Sequence, residues 1–195
     1  KAAEVFRKFE KINARVFLMI GFPNESYQMI LDTIEVSNQM SLDWYNVSIL
    51  EPLPNTPIFE SMVQEGQIDL ENLDFSEIRY NSGGLGKHKQ QKRDMLSSEF
   101  NKAFNVTDLN EIPPKEKLDD IWAYMNYHLN FKKLIKKHSV EKIIQKKQYV
   151  ANITDLISPE NCLALYFQAY LEKKLDGKAK LKTINNLKSR IKQFP

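Results

Sequence analysis

The sequence contains a single cysteine, Cys162. One cysteine excludes an internal disulfide framework and any zinc or iron–sulfur site built only from this chain's cysteines. It favours a reducing compartment, so we expect a cytoplasmic protein. Because Cys162 lies on an amphipathic helical pattern, we expect it to be a buried packing residue.

Long apolar runs are also missing. Runs such as residues 16–20 are far shorter than the ~18 residues that a membrane-spanning helix needs. The three histidines, His88, His128 and His138, are too scattered to suggest a metal site. We therefore assign no catalytic residue and no metal ligand, and we expect no membrane segment.

Charge is unevenly distributed along the chain. Residues 131–195 hold 15 Lys/Arg against 5 Asp/Glu, whereas residues 1–130 hold 13 against 20. Such asymmetry can mark a surface that binds nucleic acid or an acidic protein. A solvated, lysine-rich helical face gives the same pattern, and no RNA-binding motif with glycines and aromatics accompanies the lysines.

The first part of the chain alternates helical and strand patterns. The apolar run at residues 16–20 is typical of a strand covered on both faces, and residues 44–50 alternate as a strand does. A helical pattern covers residues 25–40, and Thr56 and Pro57 are expected to begin a further helix that ends at Gly66. Short loops between these elements indicate a parallel sheet built from βα units.

The pattern changes after about residue 70. A short strand is predicted near residues 78–80, and the rest reads as helical. Helices are predicted at residues 88–104, 115–137 and 158–176 and in a basic stretch from residue 181. We predict three segments: an α/β part at residues 1–70, a connector with a short helix at residues 71–114, and an all-α region at residues 115–195.

Two motifs resemble radical S-adenosylmethionine (radical SAM) enzymes. Residues 16–26, Val-Phe-Leu-Met-Ile-Gly-Phe-Pro-Asn-Glu-Ser, resemble the fifth strand of their barrel and its Gly-Leu-Pro-Gly-Glu-Thr turn. Residues 50–59, Leu-Glu-Pro-Leu-Pro-Asn-Thr-Pro-Ile-Phe, resemble the sixth strand and its Pro-Gly-Thr-Pro-Leu-Tyr turn. The resemblance is to the radical SAM proteins with a cobalamin-binding domain and to methylthiotransferase-like enzymes, and it covers residues 1–68.

The resemblance implies a fold and a set of ligands. We expect an α/β fold, namely the C-terminal part of a parallel (β/α) barrel followed by an all-α C-terminal region. Enzymes of this family cleave S-adenosylmethionine (SAM) with a [4Fe–4S] cluster, and some also use cobalamin. The CxxxCxxC loop that binds the cluster is not in this sequence, so we expect the N-terminal half of the barrel to lie upstream of Lys1 and the chain to be inactive alone.

The resemblance also implies binding residues. Met19, Gly21, Leu50, Glu51 and Leu53 match family positions near the adenosyl group of SAM. This agrees with the rule that ligands of parallel barrels bind at the C-terminal ends of the strands.

Two asparagines replace glycines of the family turns. Asn24 and Asn55 stand at positions that suggest left-handed backbone. Since Asn tolerates this conformation better than other non-glycine residues, we expect both turns to be preserved.

Asn46 and Ser48 lie on the face of the second strand opposite Tyr45, Val47 and Ile49. We expect these two polar residues to point into the barrel lumen and to line a substrate cavity, although solvated interior positions would show the same alternation. A partial barrel would also expose strand edges, which favour pairing. The expected partners are therefore the missing half of the barrel or a second copy of the chain in a homodimer.

A second function stays open at this point. The chain could be an interaction module in which the basic helical tail binds a protein or RNA and the α/β part serves as a scaffold. Salt-dependent binding to RNA would distinguish this interpretation.

Overall fold

The structure is a computed structural model that describes residues 1–71 and 100–193. The first range contains α1 (Ala2–Phe6), β1 (Arg15–Ile20), α2 (Tyr27–Met40), β2 (Trp44–Ile49) and α3 (Pro57–Gln64). The second contains a 3₁₀ turn (Phe100–Lys102), α4 (Lys115–Asn126), a π-helical turn (Tyr127–Phe131), a 3₁₀ turn (Lys132–Ile135), α5 (Val140–Asn152), a π-helical turn (Ile153–Ile157), α6 (Cys162–Asp176) and α7 (Leu181–Gln193). The strand expected near residues 78–80 and most of the helix expected at 88–104 lie outside the described residues.

The prediction of a partial barrel is wrong. The described residues are mostly helical, and their one sheet is an open pair of parallel strands, β1 and β2. A β–α–β unit belongs to open sheets as well as to barrels, so the alternation of elements before residue 70 did not distinguish the two.

Side chains cover the outer edge of β2, where the next strand of a barrel would pair. The amide of Asn130 accepts a hydrogen bond from the Tyr45 backbone N–H (2.9 Å) and donates one to the Tyr45 carbonyl (2.8 Å). The indole N–H of Trp122 donates to the Val47 carbonyl (2.8 Å). These contacts satisfy backbone groups that a third strand would otherwise use. The expected homodimer stays a prediction, but this strand edge is not open for it.

The first core lies between one face of the sheet and the helices α2 and α4. Alternate residues of both strands point into it, and Tyr45 and Ile20 are fully buried there. Its other buried members include Ile30, Ile34, Ile121, Met125 and Leu129. Helix α4 therefore packs directly on the sheet.

The second core lies around Trp44, at the start of β2, and is otherwise built from the tail after residue 126. The Trp44 ring packs edge-on against Phe131 (5.7 Å between ring centres) and tilted against Tyr149 (4.3 Å). Other buried members are Leu134, Ile143, Val150, Ile153, Phe167 and Leu171. The division into three segments stays a prediction, and both cores combine β2 with residues after 115.

Several helix ends agree with the sequence pattern. Thr56 Oγ1 accepts a hydrogen bond from Phe59 N (3.3 Å), and Pro57 is the first residue of α3. Helix α6 ends at Asp176, where Gly177 adopts a left-handed conformation (φ 75°). These are the cap and breaker roles that the sequence predicted.

Other helix bounds differ from expectation. The helix predicted over residues 115–137 ends at Asn126 and continues as a π-helical and then a 3₁₀ turn. Helix α6 begins at Cys162, four residues later than predicted, because Asn161 rather than Ser158 accepts the capping hydrogen bond, from Ala164 N (2.9 Å). The sequence pattern also missed α5, which Ser139 caps.

Cys162 is buried, as predicted. Within residues 1–71 and 100–193, no helix combines the length and the apolar character needed to cross a membrane. The compartment itself stays a prediction.

Candidate binding site at the strand ends

The turn after β1 is closed by its own carboxylate. Glu25 Oε2 accepts hydrogen bonds from the backbone N–H groups of Gly21 (2.6 Å) and Phe22 (3.2 Å). Asn24 has φ 63°, so the predicted left-handed conformation is confirmed. Ser26 then caps α2 by accepting from Met29 N (3.3 Å).

Gly21 is required at the end of β1 for two reasons. Its φ is 87°, a conformation that side chains rarely adopt. A Cβ atom there would also lie 3.0 Å from Leu118 Cδ1 on α4. A side chain at this position would therefore strain the backbone and push the Leu118 side chain aside.

The turn after β2 begins beside this strand end. Leu50 N donates a hydrogen bond to the Ile20 carbonyl (2.8 Å), which extends the strand pairing by one residue. Thr56 Oγ1 donates to the Leu53 carbonyl (2.6 Å), and Asn55 has φ 63°, again left-handed as predicted. Residues 50–53 thus follow the end of β2 directly, next to the end of β1.

One face of the sheet is partly open. The strand register places Phe17 opposite Asn46 and Met19 opposite Ser48, and residues paired in this way point to the same face. Phe17 is 71% exposed and Met19 is 44% exposed. We call the four residues the open sheet face: Phe17, Met19, Asn46 and Ser48.

A tail helix holds one corner of the open sheet face. The Tyr149 hydroxyl on α5 donates a hydrogen bond to Asn46 Oδ1 (3.1 Å). The Arg15 guanidinium lies 4.5 Å from the centre of the Tyr149 ring. Burial raises the pKa of the Tyr149 phenol, and the positive charge of Arg15 opposes this in part. The phenol therefore keeps its proton at neutral pH and fixes the orientation of the Asn46 amide.

The structure brings together most of the residues that the sequence assigned to the site. Met19, Asn46 and Ser48 share the open sheet face, while Gly21 and Leu50 lie at the adjoining strand ends. Because the described residues form no barrel, they enclose no lumen for Asn46 and Ser48 to line. Their role in substrate binding stays a prediction.

Sequence reasoning missed three contributors to this region: Phe17, Tyr149 and the closing contact of Glu25. Phe17 lies in a run of five apolar residues, so no alternation marks it as exposed. Tyr149 is distant in sequence and reaches Asn46 only through tertiary packing. The Gly-Phe-Pro-Asn-Glu turn did contain a signal for Glu25, since a carboxylate four residues after Gly21 can reach the N–H groups at the start of the turn.

The described residues do not fit an iron–sulfur cluster. They contain no group of three or more His, Cys, Asp and Glu side chains arranged to hold a metal, and Cys162 is buried in the tail. Phe17 and Met19 offer exposed apolar surface beside the polar Asn46 and Ser48, and binding of SAM there stays a prediction. Use of cobalamin stays a prediction.

The comparisons with known proteins found no relative. No protein-family model, no curated protein and no solved structure matches the chain. The radical SAM resemblance therefore depends on residues 16–26 and 50–59 alone.

Proposed function

We propose that the chain binds the adenosyl group of SAM at the open sheet face and the adjoining strand ends, as one part of a radical SAM enzyme. The observation that carries this proposal is the shared location of Met19, Gly21 and Leu50. The two motifs assign these residues to the same ligand, and they lie around the C-terminal ends of paired parallel strands. This is where open α/β sheets generally bind ligands.

Each group at the site has a defined part in this proposal. Phe17 and Met19 supply apolar contact to the face of the adenine ring. Asn46 and Ser48 supply an amide and a hydroxyl at the margin, which can hydrogen-bond to ring nitrogens or ribose hydroxyls. Leu53, which is 37% exposed, extends the apolar surface beyond the strand ends, with Glu51 between it and Leu50.

The radical chemistry requires groups that this chain does not supply. Bound SAM would accept one electron from a reduced [4Fe–4S] cluster and split into methionine and a 5′-deoxyadenosyl radical, but the cluster ligands must come from polypeptide outside these 195 residues. We therefore expect the chain alone to bind weakly and to catalyse nothing. An adenine ring has about ten non-hydrogen atoms, and about 0.4 kcal/mol for each gives about 4 kcal/mol, or a Kd of about 1 mM.

Ligand titration followed by NMR tests the proposal. We expect SAM and 5′-deoxyadenosine to shift signals of the open sheet face with a Kd of about 1 mM. Met19→Glu should abolish these shifts because it places a charge on the apolar surface. Met29→Glu is the matched control, since Met29 is 54% exposed on α2 and should leave binding unchanged.

Two results would count against the proposal. One is a set of shifts that lies away from the open sheet face, and the other is an equal response of both methionine variants. Formation of a stable [4Fe–4S] chromophore by the purified chain, after anaerobic incubation with iron and sulfide, would contradict the assignment of the cluster ligands to another polypeptide segment.

A further inference from the structure

The end of α6 meets the 3₁₀ turn at Lys132–Ile135. Lys174 Nζ donates a hydrogen bond to the Lys136 carbonyl (3.0 Å), and the Tyr170 hydroxyl donates to the Ile135 carbonyl (3.4 Å). Exposed lysines from two distant parts of the chain therefore lie side by side. We call this region the lysine–tyrosine surface: Lys136, Lys137, Tyr166, Tyr170, Lys173 and Lys174.

The tyrosines of this surface lie on one side of α6. Tyr166, Tyr170 and Lys173 are spaced four and then three residues apart, which places them on one helical face. Tyr166 is 53% exposed, and its ring packs edge-on against the buried Phe167 (5.2 Å between centres). Lys174 Nζ lies 5.6 Å from the centre of the Tyr170 ring. The surface thus presents aromatic rings together with positive charges, and Tyr170 and Lys174 are in direct contact.

The carboxylates nearby in sequence are already engaged elsewhere. Asp176 pairs with Lys147 (2.8 Å). Glu172 is fully buried and accepts hydrogen bonds from Lys180 N (2.8 Å) and Thr183 Oγ1 (3.0 Å). The positive charge of the lysine–tyrosine surface is therefore not balanced by these two groups.

Titratable groups under this surface experience its charge. Burial, followed by the positive charges of Lys136 and Lys146, lowers the pKa of Lys133 to about 8. Burial also lowers the pKa of His138; the contact of its ring with the Lys133 carbonyl opposes this shift, while the charges of Lys146 and Lys174 add to it. Burial is the main cause of both shifts, and neighbouring lysines add to each.

The chemistry of the surface favours a single-stranded nucleic acid. Lysines neutralise backbone phosphates, and exposed tyrosine rings stack with unpaired bases, which a duplex does not present. A helix that lies on an anionic membrane carries a stripe of large apolar residues opposite its basic face, whereas α6 presents two tyrosines next to its lysines.

We propose that the lysine–tyrosine surface binds single-stranded nucleic acid, with its four lysines on successive phosphates and Tyr166 stacked on a base. This proposal does not depend on SAM binding at the strand ends. Fluorescence anisotropy with labelled oligouridine, the matching oligodeoxythymidine and a duplex of equal length tests it on the full chain. Binding of either single strand over the duplex is the expected result, and the two single strands show whether the 2′-hydroxyl contributes.

The salt dependence of binding has a predicted size. Four phosphates on a single strand give a slope of about −2.8 in a plot of log K against log salt. Affinity should therefore fall about 50-fold between about 50 and about 200 mM salt.

Variants separate the roles of the two residue types. Tyr166→Ala should weaken binding by about 5- to 150-fold without changing the salt slope, and Tyr166→Phe should retain affinity. Lys136→Gln with Lys137→Gln should make the slope shallower by about 1.4. The matched control is Lys8→Gln with Lys115→Gln, which removes the same charge from exposed positions elsewhere and should leave the slope unchanged.

Three results would overturn the proposal. They are a duplex bound as tightly as the single strands, a control pair that weakens binding as much as the Lys136 and Lys137 pair, and binding to phosphatidylserine vesicles that survives salt and exceeds binding to oligouridine. Circular dichroism of each variant checks that it folds.

Discussion

Asn130 gives the sharpest prediction about stability, because its side chain takes the place of a neighbouring strand. Its amide makes two hydrogen bonds to the backbone of Tyr45, at 2.9 and 2.8 Å, and is only 2% exposed. Asn130→Ala removes the amide oxygen and the amide nitrogen. The backbone N–H and carbonyl of Tyr45 then stay buried without their hydrogen-bond partners. Each such group costs about 1–3 kcal/mol, so we expect the free energy of unfolding to fall by about 2–6 kcal/mol for the two groups.

Chemical unfolding measures this loss directly. Trp122 packs against the first core, and Trp44 belongs to the second core. Their fluorescence therefore reports the loss of the packing around β2 that Asn130 supports. At about 2–4 °C for each kcal/mol in a chain of this size, the Tm should fall by about 4–24 °C.

The control is Asn186→Ala at an exposed position on α7. It should change the free energy of unfolding by no more than about 0.5 kcal/mol. Asn130→Asp should destabilise at least as much as Asn130→Ala above neutral pH, because it buries a negative charge against the Tyr45 carbonyl and the Asn126 amide oxygen. A loss below about 1 kcal/mol for Asn130→Ala would refute the reasoning, because it would mean that water or another group replaces the amide at little cost.

Three further predictions concern stability and are measured by urea unfolding. Gly21→Ala should destabilise the chain by about 2 kcal/mol, because φ at this position is 87° and the new methyl would lie 3.0 Å from Leu118. An unchanged free energy of unfolding would contradict the close approach of Gly21 to Leu118. Asn55→Ala should destabilise the chain by about 1 kcal/mol whereas Asn55→Gly should not, because alanine is strained in a left-handed conformation and glycine is not. If both variants changed the free energy of unfolding equally, residue 55 would not be left-handed. Burial and two neighbouring lysines hold the pKa of Lys133 at about 8, below its ordinary value of 10.5, so the unfolded chain binds more protons and stability should rise as pH increases above 8. Lys133→Met should reduce this rise between pH 8 and 10, and an unchanged slope would show that other groups cause it.

The local structure of the first 70 residues could be predicted well from the sequence. Ser26 and Thr56 cap helices as their residue types suggest, and Asn24 and Asn55 adopt the left-handed conformation that the turn motifs require. These features depend on a few neighbouring residues and on backbone sterics, so a short motif contains nearly all of the information.

The architecture could not be predicted in the same way. Whether a β–α–β unit continues into a barrel depends on what pairs with the outer edge of its last strand. Here that partner is the amide of Asn130, which lies 85 positions after Tyr45. An asparagine within a helical pattern gives no indication that it hydrogen-bonds to a distant strand, because the local signal is the same for an exposed one.

The candidate site falls between these two cases. Its location at the strand ends follows from the motifs, but its exposure does not, because Phe17 and Leu18 are equally apolar and point to opposite faces. The lysine–tyrosine surface was recognisable only as an excess of lysine. The contact between Lys174 and Lys136 depends on how α6 packs, which periodicity alone cannot give.

The carboxylate of Glu25 has a consequence for the kind of ligand that the strand ends accept. In many nucleotide-binding α/β proteins, backbone N–H groups at the end of a strand bind the phosphates of the ligand. Here the N–H groups of Gly21 and Phe22 already bind an anion that belongs to the chain. A phosphorylated nucleotide would meet a like charge at this position, whereas a ligand with a positive sulfonium would meet an opposite one. We therefore expect ATP to bind more weakly than SAM at the proposed site, although the two share an adenosine.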